Sequence, residues 1–161
     1  MSAHPRGAGL LHPGALISVA VLVLNDHLLK GAFPSFVTGK LSDLAGLAFF
    51  PLFLQAGLEW LGAPVSRRVL AGACLATAAV FVGVKTVQAM HAVYEIGLGL
   101  LQFPFRALAG GAGGRVALQM DPTDLVAVPA VALAWRWGRD RGVAVEAPIG
   151  GRRDAPDTAE E

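Results

Sequence analysis

An all-α chain is what this sequence predicts: an integral membrane four-helix up-and-down bundle with an extra half-buried helix on its outer face. Three observations lead there. Four apolar stretches run through the 161 residues. Hydrophobic residues make up 54% of the chain against 16% charged, and mean hydropathy is +0.55, well to the apolar side of soluble domains. The third observation is where the odd polar residues fall. Asn25, Asp26, His27 and Lys30 close the first stretch, and Thr38, Lys40, Ser42 and Asp43 open the second. Lys85 closes the third, and Asp121 and Asp124 open the fourth. In an up-and-down bundle these ends share one face. Ionisable groups at membrane depth are retained for function or for pairing.

Residues 1–9 read as a short cytoplasmic tail and 10–141 as the transmembrane domain. The first helix spans about 10–29. Its length and the single Arg6 ahead of it suit a signal peptide, but no small-residue cleavage site follows, so a retained helix is expected. The second, about 41–61, carries Pro51 at its centre, which would kink it and free a carbonyl. The third covers about 69–86, with Thr77 inside an otherwise apolar run. The fourth, about 122–137, opens on Asp121-Pro122-Thr123-Asp124: an N-cap aspartate, proline in the first turn and a carboxylate near the positive dipole end. Between the third and fourth lies the interfacial helix, 87–107, with Gln88, His91, Glu95 and Gln102 among apolar residues. Gly110 to Gly114 would connect it to the fourth helix. The tail 142–161, rich in Pro, Gly, Arg and acids, is expected to be disordered.

Charge sets the orientation. Arg6, Arg67, Arg68, Arg136, Arg139, Arg141, Arg152 and Arg153 fall on one side of this arrangement. Lys30, Lys40, Lys85, Arg106 and Arg115 fall on the other. The excess of basic residues puts both termini in the cytoplasm of a cell inner membrane, with Trp60, Trp135 and Trp137 at that boundary. A net charge of +1, with scattered basic residues, leaves no footprint for nucleic acid. The lone Cys74 excludes an intrachain disulfide and reads as a small buried hydrophobe.

Three chemistries suit the outer face. Asp26, His27, Asp43, His91, Glu95 and Asp124 offer mixed nitrogen and oxygen ligands for a divalent metal ion, His91 and Glu95 pointing the same way at i,i+4. No H-E-x-x-H signature accompanies them. Ser42 with His27, Asp26 and Asp43 offers a nucleophile, a base and orienting carboxylates for a catalytic site, although a serine at a helix start is more often an N-cap. Asn25, Lys30, Lys40, Lys85, Asp121 and Asp124 offer a ligand site, the lysines suiting an anion such as a lipid phosphate. Against all three stands mutual neutralisation, Lys30, Lys40 and Lys85 pairing with Asp26, Asp43 and Asp124.

The strings Asn25 to Lys30 (N-D-H-L-L-K), Thr38 to Leu47 (T-G-K-L-S-D-L-A-G-L) and Asp121 to Leu125 (D-P-T-D-L) resemble those of a group of uncharacterised small bacterial polytopic membrane proteins. The resemblance covers all four helices in order. It implies a bacterial membrane protein and carries no activity with it. Alkaline ceramidase-like membrane hydrolases also combine Ser, Asp and several His in the membrane. This chain departs from them, because His4 and His12 belong to the cytoplasmic end and only His27 and His91 lie near the site. The expectation is thus an outer-face cluster that binds a lipid headgroup or a metal ion, with membrane lipids as partners. A metal-dependent lipid hydrolase and an accessory subunit held by internal ion pairs are the alternatives.

Overall fold

A computed structural model describes residues 5–33, 35–108 and 120–139, and these are helical with no strand among them. The expected all-helical class holds at that level. Among the described residues two helices, Phe36–Trp60 and Arg67–Thr86, are long and apolar enough to cross a membrane. The glycine connector and the C-terminal tail fall outside the described residues, as does the side chain of Lys30.

Helix α1 (Pro13–Leu24) is started by His12, whose ring nitrogen accepts from the Gly14 N–H at 3.0 Å while Pro13 fills the first helical position. It widens into a π-turn, Asn25–Leu29, and closes with Lys30–Ala32. Helix α2 (Phe36–Trp60) opens with a capping box in which Ser35 and Thr38 each satisfy the other's backbone N–H. That cap starts the helix earlier than expected from the apolar run beginning at Leu41. Thr38 and Lys40 therefore lie inside α2 rather than before it. Asp43 stands about two turns in, beyond the reach of the helix dipole. The helix continues through the buried Pro51.

Helix α3 (Arg67–Thr86) is capped by Ser66. Val87, in extended conformation, separates it from α4 (Gln88–Leu108), which packs back against α3. Gly83 lies against the Met90 thioether, whose flexible end would have to shift to admit a Cβ there. The last segment starts at Asp121, runs as a 3-10 helix over Pro122–Ala130 and becomes α5 (Val131–Arg139). A nine-residue 3-10 run is unusually long. At ~2.0 Å per residue followed by ~1.5 Å, the segment reaches about 31 Å, so the apparently shortest stretch matches its neighbours in length.

Helix α2 is the hub, packed by α1, α3, the 3-10 run and α5. One core cluster joins Ala15, Leu52, Leu70, Cys74 and Ala134; another joins Leu47, Ala48, Ala127 and Ala130. At this end Trp137 stacks on His12 with ring centroids 5.5 Å apart. Gly14 lets the indole approach α1 closely. Polar side chains share this interior, and many large apolar ones do not. Ser18, Asn25, Gln55, Glu59, Thr77 and Asp124 are buried, while Leu16, Ile17, Phe50, Phe53, Leu75, Val126 and Leu133 are exposed.

Candidate functional site

At the end of the bundle away from the tryptophans, α2, α3 and the 3-10 run bring five charges together. Lys85, at the last turn of α3, reaches Asp43 Oδ2 at 3.3 Å and Asp124 Oδ2 at 2.5 Å. Lys40 contacts the other Asp124 oxygen, donates to the Thr123 hydroxyl at 2.8 Å and lies 3.8 Å from Asp121. Asp124 is the keystone: it is buried, and each of its oxygens holds one lysine. The Lys40 ammonium also lies over the Phe36 ring at 4.2 Å, a favourable face for a cation.

Asp121 caps the 3-10 run. The Thr123 hydroxyl donates to it at 2.7 Å and the Thr123 N–H at 2.9 Å, and these two bonds, the hydroxyl's first, hold its carboxyl below the ordinary value. A carboxyl depressed on folding contributes stability above its unfolded pKa of about 3.9, lost as pH falls through the lower folded value. Asn caps as well as Asp. Asp121→Asn keeps a cap but gives up that charge, so it is expected to melt below the parent at pH 7, with the gap closing between pH 5 and pH 3, measured by tryptophan fluorescence in detergent. Equal acid losses in both proteins would refute the role of that charge.

A second polar group lies between α1 and α2. The π-turn swings Asn25 inward, where it is fully buried and its amide donates to Thr38 O and Ser42 Oγ, both at 2.6 Å. Asn25 Oδ1 has no partner among the described residues. Ser42 Oγ donates in turn to Asp26 at 2.7 Å. π-Turns of this kind often mark functional positions, and nothing in the spacing of the sequence announces one here.

The structure separates the residues that the metal and catalytic readings grouped. Of Asp26, His27, Asp43, His91, Glu95 and Asp124, no group of three is placed to hold a metal ion among the described residues. The physical reason is that lysine ammoniums already occupy Asp43 and Asp124. His91 turns Nδ1 to the Val84 carbonyl at 3.1 Å and Nε2 to Glu95 at 3.4 Å, so both ring nitrogens face acceptors. His27 is exposed, and no hydrogen bond joins it to Ser42 among the described residues. The Ser42 proton points at Asp26, without an imidazole between them. The simple anion site also changes character, because Lys40 and Lys85 are matched by carboxylates.

What sequence spacing could not reveal is a cleft of about 370 Å³ between α2 and α3, to whose lining α4 adds His91 and Tyr94. Ser42, Asp43 and Lys85 line its polar end. Gly46, Phe50, Leu54, Ala76 and Val80 line the remainder, and exposed Phe50 and Val80 mark a lateral opening. Its size suits a small molecule or part of a lipid. No protein-family model, curated protein or solved structure matches the chain.

Proposed function

We propose that the chain is a multi-pass protein of a bacterial inner membrane, with both termini cytoplasmic, that holds a membrane lipid at its ion-paired outer end. The observation that carries the lipid reading is the apolar cleft ending on the Asp43–Lys85 pair. The distribution of polarity supports the membrane reading: small and polar side chains pack inside beside Leu47, Leu52 and Leu70, while many large apolar ones face outward, where lipid removes the cost of their exposure to water. Arg6, Arg67, Arg68, Arg136 and Arg139 belong to the opposite helix ends, where Arg139 lies over the Trp135 ring, in keeping with a cytoplasmic face. The resemblance to small bacterial polytopic proteins points the same way.

Helix α4 then lies along the outer face rather than crossing. Reporter fusions after Gly62 and after Gly142 are expected to read cytoplasmic, and one after Gly113 external. An external signal at Gly142 would mean that α4 spans and would refute the shared face. For binding, protein extracted in mild detergent is expected to carry lipid in native mass spectrometry. A second reading, an accessory subunit whose charges serve only to join helices, is favoured by one observation: Lys40 and Lys85 are each already paired. Lipid-free protein from every extraction would select it.

A further inference from the structure

The cleft has a depth, and its mouth has a charge pattern. On α2 its lining runs from Ser42 to Leu54, about 18 Å along the axis at ~1.5 Å per residue. That is close to half of a ~30 Å hydrocarbon core. A groove that starts at a polar end and stops near the midplane has the reach of one leaflet.

The mouth is not that of an anion site. Lys40 and Lys85 face three carboxylates, Asp43, Asp121 and Asp124, so the described ion cluster carries more acid than base. A purely anionic headgroup would meet Asp43 as well as Lys85. A purely cationic one would meet Lys85. A headgroup bearing both signs can set its phosphate against Lys85 and its amine against Asp43.

A primary ammonium suits this mouth better than a quaternary one. It donates hydrogen bonds to a carboxylate, whereas quaternary ammonium is held by a cage of aromatic faces. Of the three aromatic residues that line the cleft, Phe50 stands two turns along α2 from Asp43 and the Phe81 ring already faces the Lys85 ammonium at 5.5 Å, which leaves Tyr94 and no cage. Building on the proposed lipid-binding role, we infer that the ligand is an outer-leaflet glycerophospholipid whose headgroup combines a phosphate with a primary amine. One acyl chain lies in the α2–α3 groove and the amine meets Asp43.

The test uses the full chain in mild detergent with phosphatidylethanolamine, phosphatidylcholine and phosphatidylglycerol of identical acyl chains, read by native mass spectrometry. Phosphatidylethanolamine is expected to be retained about tenfold better than either of the others, the worth of one charge-assisted hydrogen bond. Asp43→Asn is expected to erase that preference. Because Asp43 also pairs with Lys85, Gly46→Leu provides an arm that leaves the ion pairs alone. A Cβ at Gly46 meets nothing within 4 Å, and leucine favours helix over glycine, so the variant is expected to keep its melting temperature while its side chain fills the groove. It is expected to lose retained lipid. Equal retention of all three lipids by the parent would overturn the headgroup assignment and leave lipid binding standing. Undiminished retention by Gly46→Leu would overturn the groove. Retention of no lipid by the parent would overturn the underlying reading itself.

Discussion

Asp124→Ala is expected to lower the melting temperature in detergent more than any other single change at the ion-paired end. The Asp124 side chain is 12% exposed and each of its oxygens holds a lysine, Lys40 on one side and Lys85 on the other. Removing it leaves two ammoniums in a site that water reaches poorly. Breaking a buried pair in this way costs about 3–5 kcal/mol. Lys85 keeps Asp43 at 3.3 Å and Lys40 keeps Asp121 at 3.8 Å, so the lower part of that range applies. At ~2–4 °C per kcal/mol, the melting point should fall on the order of 10 °C. Asp124→Asn preserves shape and one acceptor and should lose about half as much. Combining Asp124→Ala with Lys85→Met removes one orphaned charge and should recover part of the loss, a non-additivity expected of direct partners. Unchanged melting of Asp124→Ala would show that water, not the carboxylate, satisfies the lysines.

Leu52→Ala should produce a loss of similar size by a different route. Leu52 is 1% exposed and sits on α2 where the cluster of Ala15, Leu70, Cys74 and Ala134 converges. Truncating a buried leucine costs about 2–5 kcal/mol, more where the surroundings cannot collapse into the cavity. The neighbours here are small or already fixed. Gly138 is packed so closely that a Cβ would overlap Leu70 and touch Leu52. The upper half of the range is therefore expected in a detergent melt. Leu52→Met conserves volume and should stay within about 1.5 kcal/mol. A loss below ~1 kcal/mol for alanine would mean that the helices close over the gap.

Much of this architecture was legible in the residues. The apolar runs give helices because uninterrupted apolar residues of that length have few other ways to satisfy their backbone. The cap signal Asp121-Pro122 stands where a helical segment begins. Grouping the polar helix ends on one face followed from connectivity alone, and Lys40, Asp43, Lys85, Asp121 and Asp124 do meet in space.

The partnerships within that face were decided by tertiary structure. Composition offers three lysines and several acids but does not say which oxygen faces which nitrogen. That depends on the axial register of α2 against α3 and the 3-10 run. Register is set here by small-residue packing at Ala48, Ala127 and Ala130, and it gives Asp124 to two lysines at once. Two backbone choices also had no sequence signal. The π-turn at Asn25 and the nine-residue 3-10 run after Asp121 depart from regular helix where neighbours, not local propensity, supply the stabilisation. Sequence by itself determined that this is a helical chain with a polar end. The cleft beside Asp43 and Lys85 came only from three helices meeting, because empty space between elements is a property of their packing and belongs to no residue alone.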